Sequence, residues 1–211
     1  MAAAHSLRTI HPMLSASNLT CVRGDRSLFT GIDFEVGAGE WLHVRGANGC
    51  GKTSLLRLLA GLSKPAHGEI RWCGQPANDD VFRGDLLFLG HHAAVKEDLT
   101  ALENLQLASS LDGDELSREE AVAALRRFGL QGREDLPVRF LSAGQKRRVL
   151  LARLVTRKAK LWVLDEPFTA LDTRAVQFLG TLIGEHLEQG GMAVVTSHQA
   201  IPIAGGKGLD L

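Results

Sequence analysis

The chain of 211 residues lacks a charge imbalance: 24 lysines and arginines face 24 aspartates and glutamates. Without a global positive field it does not read as a nucleic-acid binder, although local basic patches stay open. Cysteine is scarce too. Cys21, Cys50 and Cys73 are odd in number and in no C-x-x-C spacing, which argues against a zinc site and fits a reduced compartment. No apolar run approaches the roughly 18 residues that a membrane span needs, so work at a membrane would require another subunit to do the spanning. The first thirteen residues, MAAAHSLRTIHPM, lack an apolar core and read as a disordered extension rather than a signal peptide, with Met13 as an alternative start. There is no internal repeat and no low-complexity linker. What remains is an ordinary globular composition, 45% apolar and 23% charged, on a chain long enough for one domain with a sizeable core.

Periodicity supplies the organisation. Leu14 to Thr20, Gly31 to Val36 and Glu40 to Val44 read as strands separated by the turn clusters RGDRS and GAGE. A short apolar helix over 53–62 ends at Gly61, with Pro65 beyond it. Glu69 to Trp72 and Asp85 to Leu89 are further strands, after which residues 95–158 read as helices. The last of these, over 142–158, opens on Ser142, a good N-cap. Two continuous apolar runs follow, Leu161 to Leu164 and Met192 to Thr196, with a helix over 172–188 between them. Such runs suit a parallel sheet covered on both faces. The expectation is one α/β unit over 14–211: a mostly parallel core, an N-terminal β portion and a helical subdomain over about 95–158.

Residues 46–53 read GANGCGKT, satisfying G-x-x-x-x-G-K-[ST] between a predicted strand and a predicted helix, the context that gives the pattern meaning. Gly46, Gly49 and Gly51 let the backbone curl until successive N–H groups face phosphates. Lys52 would reach the β- and γ-phosphates, and Thr53 would place its hydroxyl on Mg²⁺. The candidate ATP-binding residues are Gly46, Ala47, Asn48, Gly49, Cys50, Gly51, Lys52, Thr53 and Ser54.

The apolar run LWVL ends in Asp165 and Glu166. In open α/β sheets ligands gather at the carboxyl ends of strands, so these carboxylates should emerge beside the phosphates. Neighbouring strand residues point to opposite sides, which favours separate tasks: Asp165 as partner of Mg²⁺, Glu166 as base or orienter of attacking water. His198 closes the next apolar run and is expected at the γ-phosphate. Ser142 and Gly144, at the start of the 142–158 helix, form a second potential anion-binding start about ninety residues beyond the loop.

These pieces, GANGCGKT (46–53), LSAGQ (141–145), LWVLDE (161–166), TALD (169–172) and TSH (196–198), resemble the ATP-binding subunits of ABC transporters from about Leu14 to His198. The resemblance implies that fold: a P-loop NTPase core with an antiparallel β portion and a helical subdomain. It implies ATPase activity with ATP and Mg²⁺, and catalytic roles for Glu166 and His198. It also implies a homodimer in which the signature residues Ser142, Ala143, Gly144 and Gln145 act on the partner chain's nucleotide, with Asp172 at the dimer contact. Integral-membrane subunits would provide the only membrane association, at the cytoplasmic face of a bacterial inner membrane, and nucleic acid is not expected. Two positions depart from the family. Arg23 stands where an aromatic residue usually stacks on adenine, and offers its guanidinium plane instead. His91 and His92 stand where a glutamine usually senses Mg²⁺ and water, and imidazole is the poorer ligand for that ion. Within the family, GEW before the loop, GHH after the strand at 85–89, LTALENL and LSAGQKRRV resemble the branch that serves cytochrome c maturation, implying haem export or delivery.

Competing readings lack their marks. No N-K-x-D is present to read guanine, no long coiled coil fits between Lys52 and Asp165, and the motif set occurs once. The basic run Lys146-Arg147-Arg148, with Arg153, Arg157 and Lys158, reads as a solvated or subunit-contacting face. The alternative functions are an ABC ATPase of another small transporter and a slow nucleotide-dependent clamp outside transport.

Overall fold

The computed structural model describes residues 13–91 and 94–211. Two sheets share the chain. Strands β1 (Met13–Arg23), β2 (Arg26–Gly37), β4 (His67–Trp72) and β5 (Gln75–Pro76) form an antiparallel sheet in the order β2-β1-β4-β5. Strands β3 (Trp41–Arg45), β6 (Leu86–Leu89), β7 (Leu161–Leu164), β8 (Met192–Thr196) and β9 (Lys207–Asp210) form a parallel sheet in the order β6-β7-β8-β3-β9. The helices are α1 (Lys52–Leu59), α2 (Asp80–Asp85), α3 (Ala101–Leu111), α4 (Arg118–Arg127), α5 (Ala143–Leu151), α6 (Arg153–Thr156) and α7 (Thr173–Glu188).

The continuous apolar runs are explained by two cores on opposite faces of the parallel sheet. Leu161, Val163, Met192 and Val194 pack with α1 and the antiparallel sheet. Their alternating neighbours Trp162, Leu164, Ala193 and Val195 pack with α7 and the helical segment from α3 to α6. A strand buried on both faces can carry no polar alternation, because every second residue would be lost from one core.

Local chemistry starts the helices. Thr100 with Glu103, Ser117 with Glu120 and Ser142 with Gln145 each form a capping box in front of α3, α4 and α5. In each, hydroxyl and N3 side chain reciprocally satisfy N–H groups that the first turn cannot. Asp172 caps α7 by accepting from the Ala175 N–H at 2.8 Å.

Several boundaries differ from the sequence reading. The first hairpin is longer: Cys21 pairs with Phe29 and Arg23 with Arg26, so only Gly24 and Asp25 make the turn. Ladder hydrogen bonds here outweigh the turn-forming character of RGDRS. Met13 belongs to β1, opposite Gly37, and the remainder of the expected extension, residues 1–12, lies outside the described residues. The helix expected over 142–158 is two helices, broken at Ala152. The break accompanies a shared anchor, since Arg153 and Arg157 both pair with Asp112 of the α3 C-terminus. Strand β9, unread in the sequence, docks beside β3 with Leu42 opposite Lys207 and Arg45 opposite Asp210.

Candidate active site

The carboxyl ends of four adjacent parallel strands converge on one cleft of about 560 Å³. From β3 comes the loop 46–53. Gly46, Gly49 and Gly51 have φ of 143°, 80° and 116°, values that glycine alone adopts cheaply. At Gly51 a side chain would also press on Leu28 and Phe29, at 3.1 and 3.0 Å. Lys52 is 9% exposed and curls back over the loop, donating to the carbonyls of Gly46 at 2.7 Å and Ala47 at 3.1 Å.

Opposite the loop, Asp165 is 2% exposed and accepts from two hydroxyls. Thr53 donates to Oδ2 at 2.8 Å, and Thr196, at the end of β8, donates to Oδ1 at 2.7 Å. One carboxylate thereby fastens the start of α1 to the ends of β7 and β8. Charge-assisted hydrogen bonds of this kind are about twice as strong as neutral ones. The same Thr196 oxygen accepts from the Glu166 N–H at 2.9 Å.

Glu166 has φ of 49°, the left-handed region, which costs a residue with a Cβ about 1–2 kcal/mol. That turn sends its carboxylate to the side of His198. Oε2 accepts from the His198 backbone N–H at 3.2 Å, while Oε1, buried and without a hydrogen-bond partner among the described residues, has His198 Nε2 3.4 Å away. Glu166 thus brings to the border of the cleft a carboxylate with one oxygen that no donor among the described residues satisfies, a costly arrangement typical of functional sites.

The sequence-predicted residues divide as follows. Asn48, Gly49, Gly51, Lys52, Thr53, Ser54, His91, Asp165, Glu166 and His198 all border the cleft, joined by Leu28 and Thr169, which sequence reasoning missed. Gly46 and Ala47 contribute carbonyls beneath Lys52, and a Cβ on Gly46 would come within 2.5 Å of Cys50 Sγ. Arg23 is not among the lining residues; it sits at the tip of the first hairpin opposite Arg26. His92 lies outside the described residues. Ser142, Gly144 and Gln145 border a separate cavity of about 320 Å³ with Arg148, Ala170 and Asp172. Ala143 is the first residue of α5.

The basic run is not a solvated face. Arg147 is 4% exposed, Lys146 pairs with Glu97, and Arg148 pairs with Asp172. Thr196 and Arg147 were therefore the main omissions. The signal available for Thr196 was a hydroxyl ending an otherwise apolar run; for Arg147 there was none, because burial arises from how α5 packs on two distant strand ends.

An α/β core of this topology, with a phosphate-type loop facing an Asp-Glu strand end, defines a nucleotide-binding ATPase domain, and residues 29–169 match the ABC transporter family. The chain belongs to that family. It is 56% identical over 196 residues to the cytochrome c biogenesis ATP-binding export protein CcmA of Dechloromonas aromatica, covering 92% of this chain and 96% of that protein. It is 49% identical to the protein of the same name from Escherichia coli K12, covering 92% and 93%. Among solved structures, an ATP-binding ABC transporter protein from Pyrococcus furiosus superposes with a TM-score of 0.80 at 27% identity, over 94% of this chain and 97% of that one. A dimeric ATP-binding cassette in a post-hydrolysis state, bound to ADP and Pi, superposes with a TM-score of 0.78 at 25% identity, over 88% of each chain.

Proposed function

We propose that this ABC ATPase hydrolyses ATP in the cleft between Lys52 and Glu166, and that it works as a homodimer for integral-membrane partners in haem export or delivery during cytochrome c maturation. The observation that supports the chemistry best is Asp165 held by the hydroxyls of Thr53 and Thr196 at the mouth of the loop. The cargo reading rests on the relatives, named as cytochrome c biogenesis ATP-binding export proteins, which match nearly end to end. No helix among the described residues is long and apolar enough to cross a membrane; the proposed attachment to an inner membrane is peripheral, through partner subunits, and rests on the export role in the relatives' names.

In this reading the loop N–H groups of 46–53 and the Lys52 ammonium receive the phosphate chain. Thr53 Oγ1 and Asp165 Oδ2, 2.8 Å apart, are hard oxygen donors of the type that suits Mg²⁺. Bound there, the cation would neutralise charge on the phosphate oxygens. Glu166 accepts the proton of the attacking water or aligns it through its carboxylate, with His198 contacting the γ-phosphate. The strained φ of Glu166 is what turns its side chain away from Asp165, giving adjacent carboxylates separate tasks. Ser142 and Gly144 supply the partner chain's site.

Purification from native membranes tests the reading as a whole. Co-purification of integral-membrane proteins together with ATPase activity is expected. Recovery with ribosomes or DNA instead would overturn the transport assignment.

A further inference from the structure

Beyond the groups that would touch nucleotide, one buried cation organises the cleft from behind. The ladder between β6 and β7 ends at Leu89 and Leu164, with the Asp165 N–H making a last bond to the Leu89 carbonyl at 2.8 Å. Past that point the two chains diverge, one toward His91 and the other toward Glu166. Their next four carbonyls have no ladder partners, and Arg147 of α5 takes all of them. One terminal nitrogen, Nη1, donates to Gly90 at 3.0 Å and His91 at 3.3 Å. The other, Nη2, donates to Asp165 and Glu166, each at 2.9 Å.

We propose that Arg147 is a positioning residue for ATP hydrolysis: its planar guanidinium spans the splayed ends of β6 and β7 and holds His91 and Glu166 at a fixed separation across the cleft. The inference rests on the proposed role of Glu166. Three features support it. The Glu166 peptide is fastened on both sides, its N–H by Thr196 and its carbonyl by Arg147 together with the Thr169 N–H, which keeps a left-handed residue from relaxing. Among the described residues the cation makes no side-chain ion pair, and both of its terminal nitrogens donate to backbone carbonyls. And Arg147 projects from the same helix whose start, Ser142, borders the second cavity, so a displacement of α5 is carried to both loops. Burial pulls the arginine's pKa down while the charges of Asp165 and Glu166 oppose the change.

Lysine cannot replace this group, since a single ammonium presents its donors from one point and has no fork to span two pairs of carbonyls. In Arg147→Lys, ATP affinity should stay within about twofold of wild type while kcat falls about tenfold or more with little change in KM, the pattern of a mispositioned catalytic group. Amide hydrogen exchange at residues 88–91 and 164–166, measured without nucleotide, should accelerate. Should Arg147→Lys prove poorly folded, Arg147→Gln, neutral and planar with two donors on one nitrogen, provides the same readouts. Wild-type kcat in the variant, affinity lost in proportion to kcat, or unchanged exchange in the two segments would each overturn the proposal. If the wild-type protein itself fails to hydrolyse ATP, the functional reading falls instead, and the exchange measurement alone still decides whether Arg147 fixes the two loops.

Discussion

Two cavities in this protein look alike in composition and differ in how finished they are. Each lies at the start of a helix with glycine nearby, one before α1 and one before α5. In the first, a lysine, two threonines, an aspartate and a glutamate of the same chain close a network around the loop. In the second, the Ser142 hydroxyl accepts from the Gln145 N–H, and the neighbouring charges, Arg148 and Asp172, are paired with each other. Glycine also serves different ends. At Gly46 and Gly51 it allows φ values that curl the backbone, whereas at Gly144 it makes room, because a Cβ there would meet the Ala170 carbonyl at 2.7 Å. One chain therefore furnishes every group around the first cleft, and in the function proposed above the second cavity is half of a site whose other half comes from a second copy.

The largest effect that would sharpen this contrast is expected at Glu166. Exchanging a general base for its amide removes the proton acceptor and keeps the shape. Turnover in Glu166→Gln should fall roughly 10²–10⁴-fold, with ATP binding retained. Steady-state ATPase and equilibrium binding measure the two separately, and unchanged turnover would remove Glu166 from its role. Lys52→Ala comes next. Losing a charge-assisted contact to phosphate costs about 3 kcal/mol, so Kd for ATP should rise about 100-fold or more. Retained micromolar affinity would break the phosphate-loop assignment.

The half-site is tested by Ser142→Arg. A large cation at the start of α5 should block nucleotide-dependent dimers while leaving ATP binding by the monomer intact, measured by gel filtration in the Glu166→Gln background. Loss of the cap costs about 1 kcal/mol, a fall of roughly 2–4 °C in Tm for a domain of this size. An equally abundant dimer would show that the second cavity closes on nothing.

These residues also mark what a sequence can disclose. The loop 46–53 and the N-cap at Ser142 were legible because their chemistry is local: each serves backbone groups within a few residues. The paired strands Leu161–Leu164 and Met192–Thr196 were legible for a different reason, since burial on both faces leaves an unbroken apolar run. Arg147 was read as surface because its neighbours Lys146 and Arg148 share its charge. Its burial depends on Gly90, His91, Asp165 and Glu166 meeting α5 in space, and nothing within the helix encodes that meeting. Thr196 was seen as part of TSH, yet its task, one hydroxyl donating to Asp165 and accepting from Glu166, exists only once β7 and β8 pair. The break at Ala152 escaped too; it accompanies ion pairs from Arg153 and Arg157 to Asp112, a residue that only the fold brings near.

The smallest expected effect concerns His91, the cleft residue that departs furthest from the family pattern. It lies at the rim with Glu166 and His198, and its own carbonyl is held by Arg147. If the side chain contributes as a weak ligand in place of an amide, restoring the amide in His91→Gln should leave ATPase activity equal or raise it by a factor of about two to three, since an amide oxygen suits Mg²⁺ better than imidazole nitrogen. The carbonyl at this position is held by Arg147 whichever side chain stands there. Measuring kcat across pH separates the remaining explanations. A pH–kcat profile that differs between the wild type and the glutamine variant would mean that the imidazole takes part through its proton. A complete loss of activity in His91→Gln would give that histidine a dedicated role, and would mean that the finished site differs from the family arrangement in more than one atom.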